Sequence, residues 1–228
     1  MTIEQSLNIL YWYKNLENEA LNILSIIPYK EQNYYTIIPK IAPLIIEAGS
    51  LISTIHAFNN SQEKVFNFYK KEHKIDEVFL VYISEPLRIL RPYNSLFSED
   101  GEFNEPIWWT AYNSLKHDRI NEVIQSNIFN LVNILGALFL VITQDEQFSD
   151  ALIISDIHVS NYVIDYIKKF THKIYEEERN NVLKEIAFET PMFYTELGPK
   201  AVMGDDASQY RNHLVKTKYL YKYWKSVY

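Results

Sequence analysis

Residues Trp108 to Arg119, WWTAYNSLKHDR, bring two tryptophans, a tyrosine, an asparagine and a Lys-His-Asp-Arg run into twelve positions. Each type suits one task. His117 carries an imidazole that gives and takes a proton near neutral pH. Lys116 and Arg119 supply cations for a phosphate, and Asn113 an amide to orient it. Tyr112 or Trp109 offers a ring on which a nucleobase could stack. Were the chain a ribonuclease, these types would cover its needs: a base for the 2′-hydroxyl, an acid for the leaving oxygen and positive charge on the phosphate. Glu47, in a polar stripe with Ser50 and Thr54, is the expected carboxylate partner for Arg119.

On a helical wheel, at about 100° per residue, Trp108, Trp109, Tyr112, Asn113, Lys116, His117 and Arg119 share roughly half the circumference. His117 and Arg119 fall at opposite edges of that arc, so both reach one ligand only if the helix bends or frays near Asp118. The same pattern also has a structural reading. Aromatics at helical spacing form core, and a basic helix end complements the helix dipole. Downstream, Asn127, Asn130 and Asn133 cross an apolar run at three-residue steps, ahead of Gly136 and Ala137. Buried amides need partners. The Tyr-Asn-Lys-His-Arg face is the nearest supply, so Asn130 and Asn133 are expected to support the site. The two small residues would let another helix approach closely.

Metal chemistry is the competitor. His117-Asp118 spells the metal-binding dipeptide of HD phosphohydrolases, but the partner ligands would have to come from residues such as His56, His73 and Asp165, whose contexts do not mark them. Asp156-x-His158 and His172-x-x-x-Glu176 each lack a third ligand. There is no cysteine, glycine-rich phosphate loop, His-Glu-x-x-His or serine nucleophile elbow. The expectation is therefore no metal and no cofactor.

Charge separates the chain into two parts. Net charge is −7, which disfavours a general nucleic-acid coat. From Ala207 onward, Arg211, Lys216, Lys218, Lys222 and Lys225 are five basic residues with no acid; the rest, with 17 basic and 29 acidic residues, stands at −12. On a wheel, Arg211, Lys218, Lys222 and Lys225 fall within about 60° of one another, beside Tyr210, Leu214, Tyr221, Trp224 and Tyr228. That ridge would either track an RNA backbone or dock its aromatics on the body and turn its lysines outward.

The elements that must position these residues read as mainly α. With 228 residues, 47% of them hydrophobic and 15% aromatic, the chain can bury a sizeable core. Only 5 glycines also weigh against an all-β fold. Ile9, Tyr13, Leu16, Ala20, Ile23 and Ile27 make one helical stripe ending at Pro28; Ile41, Ile45, Ala48, Ile52 and Ile55 make a second. A shorter helix is expected around Gln62 to Lys71. Glu77 to Ile83 reads as a minor extended or β element, and Pro86 and Pro92 keep the segment EPLRILRPYNSLF irregular. Asn121 to Thr143 reads as a long buried helix and Ser160 to Phe188 as another. TPMFYTELGPKAVMGDD reads as a loop, and a last helix starts near Ala207. Residues 1–143 would form the bundle core and 144–228 a helical extension on the same domain. The start of the chain does not resemble a signal peptide, and Leu131 to Ile142 is too short to span a bilayer. A cytoplasmic protein without membrane or DNA-binding motif is expected.

WWTAYNSLKHDR followed by NIFNLVNILGALFLV resembles uncharacterised prokaryotic HEPN-like helical proteins. Their shared form is a Trp-Trp pair, Tyr-Asn, Lys-His-x-Arg, then a helix rich in Asn, Leu and Ala. The preceding RPYNSLF is similar to their segment there, although a Pro-Trp pair is commoner than Pro92-Tyr93. The likeness covers Arg91 to Thr143 and, loosely, the two N-terminal helices; the C-terminal third has no match. It implies a HEPN-like helical bundle, a homodimer, RNA as partner and a metal-independent ribonuclease in phage defence or stress response. HEPN ribonucleases usually carry Arg followed five to seven positions later by His. Here Arg211 and His213 are two apart, and His117 and Arg119 stand in the reverse order. The resemblance therefore speaks more for the fold than for catalysis. The alternative is a non-catalytic helical interaction module.

Overall fold

Thr2 and Gln5 start the first helix, each side chain bonding the other's backbone N–H, at 3.2 Å and 2.8 Å, so the free amides of the first turn find acceptors. In a computed structural model of the chain, which describes residues 1–59, 61–73, 75, 80–83, 88–93, 104–148, 151–152, 155 and 186–197, this helix α1 runs Ile3–Leu24. Its expected stripe is its buried face: Ile9, Tyr13, Leu16, Ala20 and Ile23 are inside, and Ile27 packs at the edge. α2 (Ile41–Phe58) buries Ile41, Ile45, Ala48, Ile52 and Ile55. It has the length and apolarity of a membrane span, with half of it buried inside the fold. α3 (Val65–His73), α4 (Ile107–His117) and α5 (Ile128–Gln144) complete a mainly helical architecture.

α5 is the central element. It packs against α1, α2, α4 and the sheet, and every residue but Phe129 is buried. Each fully buried aliphatic side chain contributes roughly 1.5–3 kcal/mol of transfer free energy, so this one helix accounts for a large share of the core. Where α5 reaches the sheet, Gly136 matters. A Cβ there would stand 3.1 Å from Leu80 Cδ2 and 3.6 Å from Phe193 Cε1. The small residue expected to admit a helix admits strands instead.

The β component is larger than the one element anticipated. β1 (Leu80–Tyr82) lies inside the expected Glu77 to Ile83 segment, but it belongs to a four-stranded sheet. The order is β2-β1-β4-β3, with β2 at Arg88–Leu90, β3 at Ile186–Glu189 and β4 at Phe193–Leu197. All three pairings are antiparallel, with Val81 opposite both Ile89 and Tyr194. Three expectations are corrected. Arg88–Leu90 is a strand rather than irregular chain, Ile186–Phe188 is strand rather than the end of a helix, and Phe193–Leu197 is strand rather than loop. Three to five residues carry too little periodicity to show in sequence; pairing, not local preference, makes them strands. The rest of the Ser160 to Phe188 reading and the helix from Ala207 lie outside the described residues.

A buried carboxylate fastens the β3–β4 hairpin to α1. Glu17 Oε1 accepts from Tyr13 Oη (3.1 Å), from Met192 N (3.2 Å) and from Thr190 Oγ1. Burial pushes the Glu17 carboxyl above its ordinary value, against the opposing pull of the bonds from Thr190, Met192 and Tyr13 and of the Lys14 charge.

Candidate functional site

α4 follows Pro106, whose missing N–H costs nothing at a helix start, and it ends at His117. Burial divides the arc that looked chemically uniform. Trp108 Nε1 donates to Pro92 O at 2.8 Å, and its ring meets Tyr93 and Phe66 edge-on at 5.3 and 6.0 Å. Tyr93 in turn donates to Ala137 O of α5 at 3.2 Å. Trp109, 9% exposed, packs 5.0 Å from Phe66 and 4.8 Å from Tyr112. Tyr112 is itself only 2% exposed. Neither ring can take a stacked base, so that role is withdrawn for Trp109 and Tyr112. One turn on, Asn113 is half-buried and its side chain makes no hydrogen bond among the described residues, while Lys116, His117 and Arg119 are exposed.

The Tyr112 side chain lies in the α2–α4 contact. Its ring lies on Gly49 of α2. Its oxygen accepts from Lys116 Nζ at 3.1 Å, and that ammonium also stands 5.2 Å from the ring centroid. Ser50 and Ser53 hydroxyls bond the same phenol. Burial would raise the phenol pKa, but the bonds to Lys116, Ser50 and Ser53 and the Lys116 charge outweigh it and bring it below its ordinary value. Sequence reasoning placed Ser50 in a polar stripe but missed Gly49 and Ser53 as Tyr112's seat. The small residues Gly49, Ser50 and Ser53, all on one helix, were the available signal.

The helix stops where both edges of the arc needed it to stop. Asp118 leaves helical geometry, with φ −145° and ψ 77°. Its carboxylate accepts from Asn121 N at 3.1 Å and Asn121 Nδ2 at 2.6 Å. Those bonds, led by the Asn121 side chain, hold the Asp118 carboxyl below its ordinary value. The turn also replaces the first part of the long helix expected from Asn121, since α5 begins only at Ile128, capped by Asn127. Ser126 O and Asn127 pair with the extended Ile37–Ile38 segment preceding α2. Lys40, Lys116, His117, Arg119, Ile120 (86% exposed) and Ile124 (59% exposed) therefore all belong to the exposed chain around this α4–α5 connection and the start of α2.

Several expected supports are elsewhere. Asn130 Nδ2 donates to Gln125 O at 2.9 Å, and Asn133 Nδ2 to Phe129 O at 2.8 Å, with Asn133 also bonding the Tyr29 side chain. Both amides serve the start of α5 and its neighbours, and neither bonds the α4 face. Nor does Glu47 hold Arg119: the ion pairs among the described residues join Lys71 to Glu63 and Glu72, and Arg88 to Glu31. No group of three or more His, Asp or Glu stands together to hold a metal among the described residues. His56 is packed edge-on between Phe68 and Tyr69, at 5.3 and 6.0 Å, unlike a ligand. Arg211, Lys218, Lys222 and Lys225 lie outside the described residues, as do Asp156, His158, Asp165, His172 and Glu176.

No family model, curated protein or solved structure matches this chain.

Proposed function

We propose that the protein binds RNA at the end of the bundle where α4 stops, and cleaves it without a metal, with His117 as the proton-transfer group. One observation carries the reading. Lys116, His117 and Arg119 are exposed at a broken helix end, and none has an acidic partner among the described residues. Cations held by carboxylates are already satisfied; these are available to phosphates. His117 closes α4 and Arg119 opens the next turn, so Asp118 frees the two side chains from their opposed directions on one helix. With Tyr112 and Trp109 in the core, a stacked base would use Tyr35, which is 75% exposed and sits 6.2 Å from Phe129 at the start of α5. The motif resemblance adds to this proposal a HEPN-like homodimer acting in the cytoplasm, in phage defence or stress response.

A second reading, a non-catalytic interaction module, is favoured by Ile37, Ile120 and Ile124, which put aliphatic surface in water at the same end. A protein partner covers such surface better than RNA does.

An RNA cleavage assay on purified protein in EDTA separates them. Cleavage that His117→Ala abolishes supports the ribonuclease. RNA binding without cleavage reduces the proposal to binding, and neither binding nor cleavage leaves the interaction module.

A further inference from the structure

Lys116 is exposed, yet it is not free to swing. One of its three N–H bonds goes to the Tyr112 hydroxyl at 3.1 Å, and the ammonium stands 5.2 Å from the same ring's centroid. That ring is fixed in turn, because it fills the space a Gly49 side chain would need. The serine hydroxyls on either side donate to carbonyls of their own helix, Ser50 to Ile46 O at 2.7 Å and Ser53 to Gly49 O at 3.1 Å. A hydroxyl that turns from its carbonyl to the phenol donates to the Tyr112 oxygen and favours the ionised form. Other core tyrosines donate inward, Tyr93 to Ala137 O, Tyr69 to Ile52 O and Tyr13 to the Glu17 carboxylate. Tyr112 spends its hydroxyl on an exposed cation.

We propose that Tyr112 is a positioning residue for anion binding: it holds the Lys116 ammonium on the α4 surface so that the remaining N–H bonds face a phosphate oxygen. This rests on the RNA reading and adds how that site is preorganised. A lysine held in one geometry loses less rotamer freedom when a phosphate arrives, so the affinity gained is the entropy already spent in folding. The arrangement also couples the two groups. An ionised Tyr112 would offset the Lys116 charge and weaken anion binding, and a phosphate on Lys116 would by reciprocity favour the neutral phenol. The phenol lies below its ordinary value of 10.0 because the bonds from Lys116, Ser50 and Ser53 and the Lys116 charge overcome its burial. That coupling gives a readout which loss of packing would not imitate.

The experiment measures the affinity of wild type, Tyr112→Phe and Lys116→Met for one short single-stranded RNA, across salt and across alkaline pH. Lys116→Met should lower the salt slope by about 1, because one phosphate contact is lost. Tyr112→Phe keeps the charge and the ring on Gly49. It should weaken binding about three- to tenfold with the slope unchanged, in line with losing a charge-assisted positioning bond. Wild type should also lose affinity more steeply than Tyr112→Phe as pH rises towards 10.0. If Lys116→Met weakens binding while Tyr112→Phe matches wild type in affinity and alkaline profile, the positioning role is overturned and the RNA site stands. If Lys116→Met leaves binding unchanged, the RNA site at α4 is overturned and the positioning role with it. Should Tyr112→Phe fail to fold, Ser50→Ala with Ser53→Ala strips the phenol's other partners. The alkaline loss should then move to higher pH, and an unmoved loss overturns the proposal.

Discussion

Tyr112 lies flat on Gly49, so close that a Cβ built on the glycine would stand 2.4 Å from the ring's Cγ and Cδ2. No flexible tip could yield; the obstruction is the ring root, itself packed on Trp109 at 4.8 Å. In an ordinary helix interior, exchanging glycine for alanine gains up to about 1 kcal/mol. Here Gly49→Ala should instead destabilise, by about 1–3 kcal/mol, as overpacked cores do. Denaturant unfolding decides the sign, and a variant as stable as the parent would mean the two helices do not meet through this ring.

Glu17 should make stability depend on pH. Its folded carboxyl titrates above the ordinary 4.5. A raised acid contributes stability that is fully present below the unfolded value and is lost as pH rises through the folded one. Glu17→Gln keeps the acceptor oxygen for Tyr13, Thr190 and Met192 but cannot ionise. Wild type should therefore match the variant below pH 4.5 and fall behind it as pH rises. Urea unfolding of both proteins across that range checks the prediction. Parallel curves would show that the carboxylate is not desolvated by the β3–β4 hairpin.

Trp108 and His117 sit on one helix with opposite duties. Trp108→Ala empties a ring that is 2% exposed and loses its bond to Pro92 O, which should cost about 3–5 kcal/mol. His117→Ala and Arg119→Ala remove exposed side chains and should stay within about 0.5 kcal/mol of the parent. Thermal melts of the three variants test this contrast. If the surface changes unfold the protein as the tryptophan change does, the end of α4 is core and no site is there.

Much of the helical frame is legible in the sequence because burial repeats along it. The α1 and α2 stripes recur every three or four residues over 22 and 18 positions, and α5 shows as a nearly continuous apolar run. The sheet is not, since its described strands run three to five residues and β1 meets β4 across more than a hundred positions. The polar site is half legible. Residue types find the α4 face, but a helical wheel cannot tell which half of a rich arc points inward. Trp109 and Tyr112 are drawn in by Phe66 and Gly49, residues distant in sequence. The three asparagines mislead for a related reason. Their regular spacing suggests a seam towards α4, whereas Asn127 caps α5 and the others bond their own neighbourhood.

On the proposed function, the cations at the end of α4 bind phosphates. The direct measurement is the salt dependence of RNA affinity for wild type and for the double change Lys116→Met with Arg119→Met. Each phosphate contact adds about 0.7 to 0.9 to the slope of log affinity against log salt. If both cations touch phosphates, the double variant should lose about 1.4 to 1.8 from that slope while its circular-dichroism melt stays at the parent value. A slope equal to that of wild type, in a folded variant, would contradict RNA binding at this end of the bundle.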